Sequence, residues 1–514
     1  MFRRTVSTAN REIVGQRSDQ EDVRRSFWDF SSVLGSRLAS IPLALCIVAV
    51  STRILGKEGY GILSLFLLVS QLFFLFGINW TCAAVVKYAK EEFVKQGKIN
   101  GTFWARNALL IPSMLLSLTV VWLYRDQILS YIGLGPAAIW LLVLYLIGLT
   151  MADYGQSVLQ ATGNLQFYSV AKLLQMLLLL AAFGLLFVFF NGAGRIYQMI
   201  WAYVLSVLLV SLVPLYKISY RLFSPPVFEK QRIKKIFIFS YPVIFGSVSA
   251  YVVNWIDLIV IKRYSTVSEI GVYSLSYQGM TAVQQISMAI GVVITPMMVS
   301  FLVRGRKDLI LRYLDRIVPQ GMILWIFFIC TVTFGSFYLI PLVFGIDFRE
   351  SCTPFALLMI GMGWNALNTL YSPVMTSYEL IKQSMGIGIV IAAVNFAGDM
   401  LLVPLFGISG ASMATAFSFF LGGVLSHLVV YRHMGLRGYK ELLLPVSSLL
   451  AIILLVASSH LLLRLLCFFV ISFGLWMIAR MLRLFNKEDL ALLEKIEMPR
   501  SVWYLIEKAY NCLG

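Results

Sequence analysis

Long apolar stretches follow one another along almost the whole chain. Fourteen of them are long enough to cross a bilayer as helices, which takes about 20 apolar residues each. Of the 514 residues, 59% are hydrophobic and only 13% are charged, whereas a soluble domain is about 25% charged. A spanning segment must satisfy its backbone hydrogen bonds internally, so the sequence predicts an all-α polytopic membrane protein. The predicted spans are 27–54, 60–86, 104–124, 133–159, 167–190, 196–215, 236–262, 271–302, 316–344, 352–378, 384–405, 408–431, 441–460 and 462–482.

The basic residues divide unevenly between the two sides of these spans. With the N-terminus inside, the inner segments carry 31 Lys and Arg and the outer segments carry 8. Basic residues collect in cytoplasmic loops, so both termini are predicted to be cytoplasmic. Topology and anionic lipid headgroups account for the net charge of +17. The lipid bilayer is therefore the predicted partner of these charges, and no nucleic acid is needed.

A weak internal repeat links the two halves of the chain. Phe30-Ser31 opens a long helix with a turn predicted at Gly59-Tyr60-Gly61, and about 210 residues later Phe239-Ser240 opens another with a turn predicted at Gly271-Val272-Tyr273. Transporters built from two related halves move one against the other around a central site. We therefore expect two pseudo-repeated six-helix bundles plus two C-terminal helices. The predicted parts are a cytoplasmic tail (1–26), a first bundle (27–215), a basic linker (216–235), a second bundle (236–431), a loop with two further helices (432–482) and a cytoplasmic amphipathic tail (483–514).

Several kinds of chemistry are not indicated by the sequence. The six cysteines and three histidines show no metal-ligand spacing, and no GxxxxGK[ST] phosphate loop, HExxH or GxSxG motif is present. These motifs carry ATP, zinc and acyl-transfer chemistry. We therefore predict a protein that is not an enzyme and holds no metal or organic cofactor.

Basic residues within or next to the spans are the candidates for binding substrate. Arg37 lies about ten residues into the first span, roughly 15 Å deep, among small and polar neighbours. A cation in a water-filled cavity suits an anionic group such as phosphate, although an ion pair inside the bundle would also explain it. Lys172 and Lys87 are further candidates. Lys172 is close enough to a span end to snorkel, and Lys87 also fits a topology determinant.

Three carboxylates are candidates for carrying a coupled H⁺ or Na⁺, namely Asp153, Asp257 and Asp399. Acidic residues inside a membrane are costly and usually face a cavity or a partner. Asn254 and Asn395 precede Asp257 and Asp399 by three and four residues, so each pair shares one helix face. Pairing with Arg37 or capping of a broken helix are open alternatives. Two further polar residues are predicted to make interhelical hydrogen bonds or to line the cavity: Gln284 and Asn365.

Three segments together resemble the Wzx-type polysaccharide flippases. The stretch 53–61 is similar to their first-loop signature, as is Trp255-Ile256-Asp257 followed by 269–273. The stretch 395–415 resembles the pattern of their eleventh and twelfth spans. These proteins belong to the MOP superfamily, with the MATE antiporters and the lipid II flippase, and the resemblance covers about residues 26 to 482.

The resemblance implies a V-shaped pair of six-helix bundles around a cationic cavity. The implied substrate is an oligosaccharide on undecaprenyl pyrophosphate, moved across the bacterial cytoplasmic membrane for polysaccharide synthesis, with Arg37 on the pyrophosphate. It also implies partnership with a polysaccharide polymerase and other assembly proteins. Three other functions stay open: a MATE-like ion-coupled exporter of small molecules, the lipid II flippase itself, and a membrane scaffold for polymer assembly.

Overall fold

The computed structural model describes residues 2–189, 194–438, 440–458, 460–481 and 484, with side chains described from residue 35 onward except at 186–189, 215, 217, 243, 245, 292 and 293. Within those ranges every regular element is a helix, which confirms the predicted all-α class. The α-helices are α1 (Phe2–Gly77), α2 (Cys82–Gln96), α3 (Asn100–Leu123), α4 (Arg125–Ile132), α5 (Ala138–Ala161), α6 (Leu165–Phe189), α7 (Arg195–Lys217), α8 (Lys230–Tyr264), α9 (Val267–Val303), α10 (Lys307–Arg312), α11 (Val318–Phe344), α12 (Cys352–Ser377), α13 (Ile381–Met434), α14 (Lys440–Ala457) and α15 (Leu461–Met481). The predicted tail 483–514, apart from residue 484, and residues 190–193 at the junction of two predicted spans lie outside the described residues.

Ten of the described helices are long and apolar enough to cross a membrane, or eleven when the bent pair Lys230–Pro242 and Gly246–Tyr264 is counted as one span. Two of the ten, Gly35–Gly77 and Ile381–Met434, contain 43 and 54 residues. Each of them covers two of the predicted spans. The chain is therefore a multi-pass membrane protein, and the exact number of fourteen spans stays a prediction.

Single glycines break the two longest helices. Gly56 in α1 has φ 67° and Gly407 in α13 has φ 56°, a backbone region that glycine enters without steric cost. The break at Gly407 lies where the sequence predicts a link between spans. The turn predicted at Gly59-Tyr60-Gly61 is wrong, because the chain breaks three residues earlier and these residues are helical.

The second predicted turn, at Gly271-Val272-Tyr273, is also wrong, because these residues lie inside α9. The turn comes earlier, between Tyr264 and Val267. Thr266 there forms a reciprocal capping box with Glu269, in which each side chain accepts the backbone N–H of the other. A capping box satisfies donors that are unpaired at a helix start, so it fixes the beginning of α9 ahead of the glycine.

The described contacts group the chain into two compact units. Unit 1 contains Met1–Ile47 and Val69–Ile244, and unit 2 contains Val48–Leu68 and Phe245–Gly514. The predicted basic linker and the first turns of α8 thus lie within unit 1, where Arg232 pairs with Glu92. These units are defined by contacts and not by the repeat, so the predicted bundles 27–215 and 236–431 stay predictions.

Close backbone contacts in unit 2 explain two of the motif glycines. A Cβ on Gly271 would lie 2.0 Å from the carbonyl oxygen of Lys57, and a Cβ on Gly61 would lie 2.1 Å from that of Val267. Neither approach leaves room for a side chain. The segment around Gly61 therefore packs directly against the start of α9. Beside it the guanidinium of Arg53 donates to the carbonyl oxygens of Leu342 and Val343.

Candidate functional site

A buried polar cluster lies in unit 2, where α8, α9 and both halves of α13 meet. Asp257 comes from α8 and Tyr273 from α9, whereas Asn395, Asp399 and Thr415 come from α13. All five side chains are at most 1% exposed. The structure thus brings together three of the residues that the sequence nominates, Asp257, Asn395 and Asp399.

The break at Gly407 makes this convergence possible, because it lets the two halves of α13 fold back on each other. Small residues hold the halves close: a Cβ on Gly398 would lie 2.8 Å from that of Ala414, and one on Gly410 would lie 2.2 Å from the carbonyl oxygen of Leu402. The amide of Asn395 then donates to the hydroxyl of Thr415 across 3.1 Å.

Hydrogen bonds in the cluster converge on one carboxylate. Tyr273 donates its hydroxyl proton to Oδ2 of Asp257, and Thr415 donates to the same oxygen across 3.0 Å. The carboxyl group of Asp399 lies next to that of Asp257. In the described part of the chain, no basic side chain pairs with either carboxylate.

The remaining oxygens of this cluster accept no hydrogen bond from a described donor: Asp257 Oδ1, Asn395 Oδ1, Asp399 Oδ1 and Asp399 Oδ2. Buried polar atoms are normally satisfied, and two adjacent buried carboxylates repel each other unless a proton or a cation lies between them. Hard monovalent or divalent cations prefer carboxylate, amide and hydroxyl oxygens. The donor set therefore fits H⁺ or a hard cation such as Na⁺.

The other polar candidates of unit 2 lie elsewhere or at the edge of the cluster. Asn254 is exposed and accepts a hydrogen bond from the hydroxyl of Tyr277 across 3.2 Å. Asn365 is buried on α12 and its amide approaches the sulfur of Met362 at 4.0 Å. Gln284 is half-buried on α9. No described contact joins Asn365 or Gln284 to the carboxylate cluster.

Two predicted substrate-binding cations lie close together in unit 1. Arg37 on α1 and Lys172 on α6 are near enough for their positive charges to interact, although 135 positions separate them in the chain. Arg37 is half-buried. Neither residue forms an ion pair with any side chain that the structure describes. Two interacting cations that are not paired with a carboxylate suit a multiply charged anion.

Asp153, the third carboxylate candidate, has a cationic partner. Arg106 on α3 is 0% exposed and its guanidinium lies 3.3 Å from Oδ2 of Asp153. It also donates to the hydroxyl of Thr81 across 3.1 Å and lies over the ring of Tyr154 at 4.3 Å. This arrangement neutralises Asp153 within unit 1. Its role as a coupling residue stays a prediction.

Lys87, the remaining candidate, lies on α2 against an aromatic pair. Its ammonium group is 4.8 Å from the ring centre of Phe239 and 5.4 Å from that of Tyr88. The ammonium group of Lys235 on α8 also lies 4.6 Å from the ring centre of Tyr88. No described contact connects these lysines to Arg37.

Sequence reasoning did not assign Thr415, Tyr273 or Arg106 to a site. The proximity of Thr415 to Asp399 could have been predicted. The two residues lie eight positions on either side of Gly407, and a helical hairpin at that glycine brings such positions together. Tyr273 belongs to a predicted turn, whereas it lies on a buried face of α9. Arg106 falls in the predicted span 104–124, but its partner Asp153 is 47 positions away.

The fold and the sequence both have relatives among known proteins. The structure resembles the lipid II flippase MurJ in an inward closed conformation, with a TM-score of 0.62 and 13% identity over 88% of this chain and 97% of that one. It also resembles an inward-facing multidrug resistance MATE family transporter of the MOP superfamily, with a TM-score of 0.57 and 15% identity over 77% and 94%. These likenesses confirm the predicted MATE/MOP-like fold.

Sequence comparison gives the family. A probable low-salt glycan biosynthesis flippase, Agl15 of Haloferax volcanii, is 23% identical over 364 residues, which are 69% of this chain and 75% of the relative. The profile described as "Polysaccharide biosynthesis protein" matches residues 28–302. That match spans more than half of the chain and includes the resemblance motifs up to 273. The chain therefore belongs to the polysaccharide biosynthesis protein family.

Proposed function

We propose that the protein flips a polyprenyl-pyrophosphate-linked oligosaccharide from the cytoplasmic to the outer leaflet of the membrane, with undecaprenyl as the carrier. The observation that carries this proposal is the pair of unneutralised cations, Arg37 and Lys172, on helices long enough to span the bilayer. A pyrophosphate carries several negative charges and accepts hydrogen bonds on every oxygen. The positive charges of Arg37 and Lys172 attract a pyrophosphate, whereas they would repel a cationic drug.

The transport task requires such groups. A charged sugar headgroup cannot enter hydrocarbon without replacing its hydration. Cations and hydrogen-bonding groups on membrane-spanning helices supply that replacement, while the polyprenyl chain stays in the lipid. Alternating access of two transporter halves then moves the headgroup. The chemistry is one of binding and release, with no covalent bond made or broken.

The buried cluster of Asp257 and Asp399 is proposed as the site of the driving ion, H⁺ or Na⁺. Its unsatisfied carboxylate oxygens favour uptake of a cation, and the cluster ties α8 and α9 to both halves of α13. A cation bound there would change the forces among these helices. Binding of the ion and rearrangement of unit 2 would thereby be linked.

The orientation follows from the charge asymmetry of the loops, 31 basic residues against 8. Both termini are proposed to lie in the cytoplasm of a bacterial cell, with the protein in the inner membrane. A polysaccharide polymerase that consumes the flipped units is the proposed functional partner.

The test measures lipid-linked oligosaccharides by mass spectrometry in cells depleted of the protein. The depleted cells are complemented with the wild type, Arg37→Ala, Arg37→Lys or Arg125→Ala. Arg125 is an exposed residue at the start of α4, paired with Asp126, so its variant controls for loss of one positive charge. We expect an undecaprenyl-pyrophosphate oligosaccharide to accumulate on depletion, to be cleared by wild type and Arg125→Ala, and to persist with Arg37→Ala.

The other outcomes separate the competing functions. Accumulation of lipid II alone identifies the peptidoglycan flippase. No accumulation, in cells that make such glycans, supports the ion-coupled exporter. Full clearance by Arg37→Ala keeps the function but removes Arg37 from the site. Clearance by Arg37→Lys but not by Arg37→Ala shows that positive charge is what the position supplies.

A further inference from the structure

An open cavity of about 590 Å³ lies on unit 1, where α2 meets the first turns of α8. The α8 residues that line it recur every three or four positions and therefore share one helix face. The residues used below are Tyr88, Lys234, Lys235, Ile238, Phe239 and Pro242.

Two ammonium groups lie against the rings of Tyr88 and Phe239: that of Lys235, which lines the cavity, and that of Lys87, which lies beside it. Lys235 lies 4.6 Å from the ring centre of Tyr88, and Lys87 lies 4.8 Å from that of Phe239 and 5.4 Å from that of Tyr88. The two rings meet edge to face at 5.4 Å. An aromatic face attracts a cation without neutralising it. The lysines are therefore positioned by the rings with their full charge available.

The acidic residues nearby are already engaged. Glu92 binds Arg232 across 2.8 Å and accepts the backbone N–H groups of Gly101 and Thr102. Glu229 binds the same guanidinium across 3.1 Å. In the described part of the chain, no ion pair involves Lys87, Lys234 or Lys235. Among those described ion pairs, Glu91, four residues after Lys87, does not pair with it either. The positive charge of the cavity is left for an external anion.

The lining changes from charged to apolar along α8. Lys234 and Lys235 come first. Ile238 follows about 5 Å and Pro242 about 10 Å beyond Lys235 along the helix axis. Ile238 is 53% exposed, so its side chain is available to a hydrocarbon ligand. A water-soluble anion needs only the charged end. A phosphate joined to a hydrocarbon chain matches the whole lining, because the phosphate fits the lysine end and the hydrocarbon fits the apolar end.

The cavity is held in place by the packing beneath it. Ala84 of α2, Ala105 of α3 and Ile236 of α8 form a buried core, and Tyr88 and Phe239 pack on it. The Arg232–Glu92 ion pair fixes the start of α8 to α2 on the same side. A binding surface of this kind exists before its ligand arrives, which lowers the cost of binding.

We propose that this cavity is a docking site for the pyrophosphate of the polyprenyl-linked substrate, separate from Arg37 and Lys172. Lys87 and Lys235 contact the pyrophosphate, and Ile238 and Pro242 contact the first isoprene units. The inference rests on the proposed function, because that function supplies the ligand. It adds a second place on unit 1 where the same headgroup is bound.

The test is photo-cross-linking from within the cavity of the purified full-length protein. The variant Ile238→benzoylphenylalanine is illuminated with undecaprenyl pyrophosphate, and the adduct is counted by intact-protein mass spectrometry. Lys87→Ala, Lys235→Ala and Arg37→Ala are added singly to this background. Lys98→Ala, an exposed lysine outside the cavity, is the matched control, and Lys87→Arg tests whether charge alone is sufficient.

We expect Lys87→Ala and Lys235→Ala each to weaken undecaprenyl pyrophosphate binding roughly tenfold, as loss of one charge-assisted contact implies. Lys87→Arg, Lys98→Ala and Arg37→Ala should keep the adduct. Inorganic pyrophosphate in excess should reduce it, and phosphatidylglycerol vesicles should not. Size-exclusion profiles identical to wild type establish that the variants are folded.

Three results overturn the inference. An adduct unchanged by Lys87→Ala and Lys235→Ala removes the lysines from the site. Competition by phosphatidylglycerol vesicles as strong as by inorganic pyrophosphate makes the cavity an ordinary phospholipid site. An equal loss of adduct with Arg37→Ala shows that the cavity and Arg37 belong to a single site. Failure of the proposed function is distinguishable, because depleted cells would then accumulate no lipid-linked oligosaccharide whatever the adduct shows.

Discussion

The hydroxyl of Thr415 donates a hydrogen bond to Oδ2 of Asp257 across 3.0 Å, joining residues 158 positions apart. The same hydroxyl oxygen lies 3.1 Å from the carbonyl oxygen of Ala411. A hydroxyl has one proton and serves one acceptor at a time. The bond to Asp257 is therefore exchangeable, and a cation that takes over Oδ2 would leave the Thr415 proton for Ala411.

We expect Thr415→Val to weaken the dependence of transport on the driving ion. The change keeps the shape of the side chain and removes the hydroxyl, which leaves the buried carboxylate of Asp257 with one donor fewer, at about 1–3 kcal/mol. Thr415→Ser restores the oxygen and should behave as wild type. The measurement is substrate flipping in proteoliposomes at varied Na⁺ and pH. An unchanged ion dependence in Thr415→Val would remove the hydroxyl from the coupling site.

Gly271→Ala should destabilise the protein, whereas Gly291→Ala on the same helix should not. A Cβ at 271 would lie 2.0 Å from the carbonyl oxygen of Lys57, whereas nothing lies within 4 Å of one at 291. Displacing backbone in this way costs about 1–3 kcal/mol, and alanine in an open helical position gains up to about 1 kcal/mol. Thermal unfolding in detergent compares the two variants. Equal midpoints would show that the segment before Gly61 is not held against α9.

The sequence predicts the helices and the faces on which their polar residues lie, but not the contacts between residues far apart in the chain. Spacing places Asn395 and Asp399 on one face, and the apolar pattern places the helices that carry them. The hairpin at Gly407 follows from its glycines. The contact of Asp257 with Thr415 depends on the register of that hairpin against α8, which local patterns do not encode.

Glycine caused the clearest sequence errors. Gly59, Gly61 and Gly271 resemble turn residues, and the sequence gives no way to tell a glycine needed for positive φ from one needed for close packing. In the structure Gly56 takes the positive φ and Gly61 and Gly271 admit neighbouring backbone. The interaction of Arg37 with Lys172 depends on how α1 and α6 pack, and local sequence patterns do not predict that packing.

Glu92→Ala should reduce the stability of unit 1. Glu92 is 6% exposed and serves Arg232 together with the N–H groups of Gly101 and Thr102, at 2.8, 2.9 and 2.8 Å. Removing it leaves the N–H groups at the start of α3 without their side-chain acceptor, while Arg232 keeps Glu229, so we expect a loss of about 1–3 kcal/mol. Its exposed neighbour Glu91 offers a matched control in Glu91→Ala. The measurement is chemical unfolding followed by tryptophan fluorescence, and similar midpoints for both variants would contradict the role assigned to Glu92.

The pair of Arg106 and Asp153 allows a structural role to be separated from a coupling role. Asp153→Leu leaves the fully buried Arg106 charged and without its carboxylate, so we expect a loss of about 3–5 kcal/mol and little folded protein by size-exclusion chromatography. Arg106→Leu combined with Asp153→Leu removes both charges and should recover most of the folded material. Since replacing an entire buried ion pair by apolar side chains is often close to neutral, that recovery marks the pair as structural. A double variant that folds but flips substrate at a rate independent of the ion gradient would instead assign Asp153 to coupling, beside Asp257 and Asp399.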